Sequence, residues 1–456
     1  MKYVSTRGAA PVLDFADVLL AGLAADGGLY VPEAWPILPP GWDRPRPYAA
    51  RAADVLWPYV EGSPLTRPEL DAIVADAYAT FDHPDVCPVV EVEPGIHVVE
   101  LFHGPTLAFK DVALQVVGRL LDHELSRRGR RATVVVATSG DTGSAAIAAC
   151  VGRPMLDVVV LHPAGRVSDV QRRQMTTVDA PNVHNVAIEG TFDDCQDLVK
   201  ALFADAGLRE RVGLSAMNSI NWARVAAQVP YHLLAAAVVG RCDVAVPTGN
   251  FGNAFAGWIA RRGGAPVERL VIGCNSNDVL ARWATTGDLA RRDVVPTLSP
   301  SMDIQVSSNH ERLLFELLGR DGSATAELMG RFRRLGSVEV PSDPAFVAAS
   351  LDDRATLDEI AGLHRRTGYL VDPHTAVGIG AARRCRAGGP STGRPVVCMA
   401  TAHPAKFPDA VERATGVRPA LPDHLADLAT RPERYDVLPA DPATVSAYVE
   451  RCVAHR

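Results

Sequence analysis

From about residue 96 onward, short runs of β-branched and aliphatic residues alternate with amphipathic stretches of helical length. This is the pattern of βαβ units wound around a parallel sheet. It predicts strands over 134–137, 158–161, 183–188, 244–246, 270–272 and 396–399, and helices over 144–151, 192–206, 253–262 and 375–386. Earlier residues are rich in Pro and Ala, with helical periodicity over 18–25 and 67–81, interrupted at Asp26-Gly27-Gly28 and by the prolines between 36 and 40. The expected organisation is a mostly helical region over 1–95, then α/β domains over 96–235 and 236–456. Thr191 followed by Asp193 and Asp194 reads as a helix cap with acidic first-turn residues favoured by the helix dipole, so these carboxylates are assigned to capping rather than catalysis. No repeat of 20–50 residues stands out.

Composition narrows the function. The 456 residues are 47% hydrophobic and 22% charged, with a formal net charge of −7, which is ordinary for packed globular domains. With no block of Lys and Arg, neither nucleic acid nor an anionic membrane is an expected partner. The N-terminus lacks the basic start of a signal peptide, and the apolar run over 233–240 is far short of the ~18 residues that span a bilayer. Eight scattered cysteines without a C-x-x-C pair suggest reduced thiols and a cytoplasmic location. Lysine is rare: Lys2, Lys110, Lys200 and Lys406 are the only four.

Two glycine turns fall where a strand should hand over to a helix: Thr138-Ser-Gly-Asp-Thr-Gly143 and Thr248-Gly-Asn-Phe-Gly-Asn253. Such turns expose backbone N–H groups at a helix N-terminus, at the carboxyl edge of a parallel sheet, and so make sockets for phosphate or carboxylate. One alone would be only a tight connection, and neither is a Walker A loop or a G-x-G-x-x-G fingerprint. In Phe102-His-Gly-Pro-Thr-Leu-Ala-Phe-Lys-Asp111, Lys110 lies among apolar residues just ahead of a helix beginning near Asp111. Burial there lowers a lysine's pKa and makes available the neutral amine that forms Schiff bases. Pyridoxal phosphate needs such an amine, a phosphate socket and a partner for its ring nitrogen. His103 and His403 flank this chemistry but are read as structural, and no His/Cys/Asp spacing suggests a metal.

These segments resemble the threonine synthases, within the tryptophan-synthase-β-like, fold type II class of pyridoxal-phosphate enzymes. Besides the Lys110 segment and the two glycine turns, the resemblance runs through Asp26-Gly-Gly-Leu-Tyr-Val-Pro32, Gln171-Arg-Arg-Gln-Met-Thr-Thr177, Asn218-Ser-Ile-Asn-Trp-Ala-Arg224 and Ser299-Pro-Ser-Met-Asp303. It continues through Asp372-Pro-His-Thr-Ala-Val-Gly378 and Thr401-Ala-His-Pro-Ala-Lys-Phe407. It implies two parallel-sheet α/β domains, pyridoxal 5'-phosphate as cofactor, and Lys110 as the lysine that carries it. Gly249, Asn250, Phe251, Gly252 and Asn253 would cradle the cofactor phosphate through their backbone, Asp141 would lie near its 3-oxygen, and Thr401 would hydrogen-bond the ring nitrogen. Ser139, Asp141 and Thr142 would hold the substrate carboxylate. Asn218, Ser219, Asn221 and Arg224, spread over two helical turns, would hold the phosphate of O-phospho-L-homoserine, Arg supplying permanent, bidentate recognition.

The implied reaction is loss of phosphate from Cγ and addition of water at Cβ to give L-threonine, with Lys110 moving protons at Cα and Cβ. The alternatives are a related lyase releasing 2-oxobutyrate, a β-replacement enzyme, a catalytically silent homologue and a nucleotide-binding module. The Asn218–Arg224 donors, the intact Lys110 and the absent Walker lysine argue against them. Monomer and dimer are both open. The sequence departs from the family pattern at Pro230 and His232, where an apolar residue and an aromatic are usual, and at His310, which replaces an aromatic.

Overall fold

Each predicted strand is present in the computed structural model, which describes every residue except Pro39, Ser139, Ala216, 388–392 and 455–456. The chain divides into two compact units: Met1–Phe109 with Ser219–Pro419, and Lys110–Asn218 with Ala420–Arg456. These cuts differ from the sequential division at 95 and 235, because strand pairing joins segments far apart in the chain. Ile96–Glu100 pairs in parallel with Val396–Ala400, and Asp436–Pro439 with Val183–Glu189.

The first unit holds a six-stranded sheet in the order Phe346–Ser350, Val267–Cys274, Cys242–Pro247, Val396–Ala400, Ile96–Glu100, Val89–Glu93. Only the edge strand Val89–Glu93 is antiparallel. Cys242–Pro247 and Val396–Ala400 are buried at every position, as expected of strands covered on both faces; the one charged residue among them, Asp243, is paired with Arg269 and Arg394. The helix Pro373–Ala387 packs so closely that a Cβ on Gly378 would lie 2.7 Å from Cys398 Sγ. Because Cys242–Pro247 and Val396–Ala400 are adjacent and parallel, Thr248 and Thr401 emerge at the same edge of the sheet.

The N-terminal region carries Arg67–Tyr78 where its periodicity implies a helix and Phe15–Ala21 in place of the expected 18–25, together with the unpredicted helix Tyr48–Val60 and strands. Lys2–Ser5 lies between Leu13–Asp14 and Tyr30–Pro32 in an antiparallel sheet. Strands of two to four residues are too short to register as an alternating pattern.

The second unit is an all-parallel sheet in the order Asp436–Pro439, Val183–Glu189, Leu156–Pro163, Ala132–Ala137, Leu214–Ser215. Leu156–Pro163 is buried throughout. Phe192–Ala204 begins with a capping box in which Thr191 and Asp194 each satisfy the other's backbone N–H, as the capping assignment requires. Leu198, Leu202 and Leu208 close a core with Val445 and Val449 of the C-terminal helix.

Candidate active site

In the second unit the strand Ala132–Ala137 runs into a turn shaped by Thr138, whose Oγ1 accepts the N–H groups of Gly140 (2.9 Å) and Gly143 (3.0 Å). Gly140 has φ 147°, and a Cβ there would lie 2.5 Å from the Gln171 side chain, so only glycine fits. The turn delivers Asp141 to the first position of the helix Asp141–Cys150. Lys110 opens the helix Lys110–Arg127 and is 9% exposed. Its Nζ lies 3.2 Å from Asp141 Oδ2, while Asp141 Oδ1 accepts from Gln171 Nε2 at 2.8 Å. The carboxylate is thus held between the lysine side chain and an amide. Gln171, thirty positions from Asp141 in sequence, thereby orients the carboxylate that faces Lys110. Thr142 follows in the same helical turn, and Ser139 lies outside the described residues.

The 248–253 loop of the first unit is fixed from one side. Ser307 Oγ donates to Gly249 O (2.7 Å), and the Asn309 backbone N–H and Nδ2 both donate to Asn250 O (3.1 and 2.9 Å). A Cβ on Gly249 would lie 2.7 Å from Ser301 O. Phe251 takes a left-handed conformation, φ 65°, at a cost of about 1–2 kcal/mol for a residue with a Cβ. The helix Gly252–Arg262 starts there, and Phe255 N–H bonds back to Phe251 O at 2.8 Å. With the carbonyls committed to 307–309, the N–H groups at the helix start, which have no acceptor within the helix, suit an anion. Asn253 reinforces this fit: its Nδ2 is buried and meets no acceptor among the described residues. The donor set therefore fits a phosphate-bearing cofactor.

Thr401 follows the strand Val396–Ala400. Its N–H donates to Thr375 Oγ1 (3.2 Å), its carbonyl accepts from Phe109 N–H (2.9 Å), and Ala108 bridges Ala402. Thr375 Oγ1 donates in turn to buried Asp372, whose other oxygen accepts from His374 N (2.9 Å) and Nδ1 (2.7 Å). His374 Nε2 accepts from Ser301 N–H (3.2 Å), so the imidazole proton sits on Nδ1. A chain of hydrogen bonds thereby joins Thr401 to the segment packed against Gly249. Asp372 and His374 were legible as a motif, but not as this link.

The Asn218–Arg224 segment does not span two helical turns. Only Trp222–Ala226 is helical, and Asn221 is its N-cap, accepting from Ala223 N–H (3.0 Å) and donating to Leu19 O (2.9 Å). The segment is instead held by its carbonyls: Ser219 O accepts from Asn309 Nδ2 (3.1 Å) and Ile220 O from Arg312 Nη2 (2.7 Å). Asn218 is exposed. Arg224 is buried, and burial pulls its guanidinium down to about 10, which leaves it charged at neutral pH.

His103 is held by Glu100 (2.7 Å) and Asp82 (3.3 Å). His403 caps the turn Pro404–Lys406, its Nδ1 accepting from Ala405 N–H (3.1 Å), and burial lowers it to about 4. Both geometries are structural. Lys406 is also fully buried, but its Nζ donates to Thr106 O at 2.6 Å. Pro230 lies in the first turn of Val229–Val239, where a missing N–H costs nothing. Among the described residues no group of three His, Cys, Asp or Glu could hold a metal, and no helix is long and apolar enough to cross a membrane.

Three family models match the chain: threonine synthase N terminus over residues 2–78, pyridoxal-phosphate dependent enzyme over 89–402, and threonine synthase, C-terminal, over 375–449. The chain is 49% identical to the threonine synthase of Pseudomonas aeruginosa, across 99% of this chain and 98% of that one. The solved structure of pyridoxal-phosphate-bound threonine synthase from Brucella melitensis has a TM-score of 0.95 at 48% identity, covering 99% of both chains. Yeast threonine synthase gives 0.94 at 34%, covering 100% of this chain and 99% of the other.

Proposed function

Because the chain belongs to the threonine synthase family and catalyses pyridoxal-phosphate-dependent threonine synthesis, we propose that its substrate is O-phospho-L-homoserine and that Lys110 is the lysine carrying the cofactor. The observation that carries this reading is the setting of Lys110: a buried amine at a helix start, 3.2 Å from a carboxylate presented by a glycine turn. Lys200 is exposed, and Lys406 is committed to a backbone carbonyl.

Bound pyridoxal phosphate supplies an electron sink for negative charge at the substrate's α carbon. Gly249, Asn250, Phe251, Gly252 and Asn253 would hold its phosphate, Thr401 would pair with its ring nitrogen, and Asp141 would serve its 3-oxygen. Ser139, Asp141 and Thr142 bind the substrate carboxylate. The Lys110 amine takes the protons from Cα and Cβ and returns one to Cα. Arg224, with Asn218 and Ser219, binds the substrate phosphate and keeps its charge as that group leaves Cγ. Asn221 contributes by setting the start of the short helix that carries Arg224. The eight unpaired cysteines support a cytoplasmic setting, where thiols stay reduced.

Turnover in heavy water tests this function. Cγ receives its new proton only after phosphate has gone, so the product should be threonine with deuterium at Cα and in the methyl group. Homoserine or 2-oxobutyrate as the main product would overturn it.

A further inference from the structure

His232 is fully buried, and its contacts are specific. Its Nε2 lies 3.0 Å from the backbone carbonyl of Asn253 and 2.9 Å from Asn253 Oδ1. Tyr231 OH donates to the same Oδ1 at 2.9 Å and also lies 3.1 Å from Gln228 Oε1. We infer that His232 is a positioning residue which, with Tyr231, turns the Asn253 carboxamide so that its Nδ2 donates to the phosphate held by the 249–253 loop. This rests on the reading of that loop as the cofactor-phosphate site.

The orientation follows in three steps. A backbone carbonyl can only accept, so His232 Nε2, facing Asn253 O, must carry a hydrogen. That N–H in turn requires an acceptor at the side-chain atom beside it, which fixes Oδ1 toward His232 and Tyr231. A flipped amide would set its NH₂ against the imidazole N–H. The planar carboxamide then directs Nδ2 away from both donors. Nδ2 is buried in the first turn of the helix Gly252–Arg262 and has no acceptor among the described residues. A buried donor without a partner is costly, and an anion at the helix start would satisfy it.

Burial lowers His232 to about 4, so the ring is neutral at ordinary pH and Nδ1 carries no hydrogen. Nδ1 faces Gly257, where a Cβ would lie 3.2 Å from it and 3.0 Å from Cε1. The imidazole therefore packs against Gly257 in space that a side chain there would occupy. A phenyl ring would fill the same space and leave the carboxamide free to turn over.

The test measures the affinity of the apoprotein for pyridoxal phosphate and for pyridoxal, and the ³¹P chemical shift of the bound cofactor. Asn253→Ala should weaken pyridoxal phosphate binding by about tenfold, shift the ³¹P line and leave pyridoxal affinity unchanged. His232→Phe should act in the same direction and add nothing in the double variant with Asn253→Ala. His232→Gln, whose amide reaches the place of Nε2, should restore the wild-type line and affinity. Equal losses for pyridoxal and pyridoxal phosphate, additive effects in the double variant, or an unmoved ³¹P line would overturn the assignment. A wild-type protein that fails to bind the cofactor would instead overturn the loop's role itself.

Discussion

Replacing His310 by phenylalanine should make the protein more stable and less sensitive to acid. The imidazole is 2% exposed, with ring centroids 5.1 Å from Phe251 and 4.2 Å from Trp283, and neither nitrogen has a hydrogen-bond partner among the described residues. Burial lowers its pKa to about 3, against ~6.5 in an unfolded chain. Between these values the unfolded state binds a proton that the folded state does not, so stability is full above the unfolded value and falls as pH drops toward the folded one. From about pH 7.5 to about pH 5 the loss is RT ln(1 + 10^1.5), or ~2 kcal/mol, set almost wholly by the unfolded-state pKa. At the higher pH, removing an unpaired ring N–H from an aromatic cluster should add about 1–3 kcal/mol. Chemical-denaturation midpoints of wild type and His310→Phe, measured at both pH values with excess cofactor, give the difference directly. His232 and His403 titrate in both proteins and cancel. Parallel midpoints across the pH range, or a variant weaker than wild type at the higher pH, would refute the reasoning.

Lys110→Ala should abolish turnover and covalent attachment of the cofactor; borohydride reduction of the wild type followed by peptide mapping should label Lys110, and label on Lys200 or Lys406 would contradict the assignment. Arg224→Ala should leave the cofactor's absorption unchanged while lowering kcat/KM for O-phospho-L-homoserine by roughly 10² or more, equivalent to ~3 kcal/mol for a charge-assisted pair at a desolvated site. Loss of the cofactor with unchanged substrate use would contradict it.

What the sequence made legible follows the range of the forces involved. The strand at 156–163 announces itself through its apolar centre at 158–161 because both its faces are covered, and the turns at 138–143 and 248–253 because glycines are required where backbone approaches a side chain or another chain segment. Unit boundaries were not legible. Nothing local in 96–100 says that its partner is 396–400, nor in 436–439 that it completes a sheet begun at 132. The segment 218–224 looked like two helical turns because its polar residues recur at suitable spacing, yet Asn221 used its side chain to start a helix rather than to continue one. Asn, Ser and Asp compete with the helix for its own backbone groups, and spacing alone cannot show which side wins.

The same limit hid the setting of two buried histidines. Read along the chain, His232 and His310 are two isolated imidazoles. In the fold, both converge on one loop. His310 packs edge-on against Phe251, the left-handed residue of the turn, and His232 bonds Asn253, two residues on and twenty-one positions from itself in sequence. The two imidazoles are not equivalent. His232 gains two acceptors through its ring N–H, which offsets the cost of burying it. The His310 ring has no such bond among the described residues and depends on edge-to-face ring contacts. A hydrocarbon ring could take the place of His310 without loss of a contact, whereas at position 232 it would release the Asn253 carboxamide. The positions are matched in residue type and in proximity to the loop, and only the partner each nitrogen finds separates a tolerated substitution from a functional one.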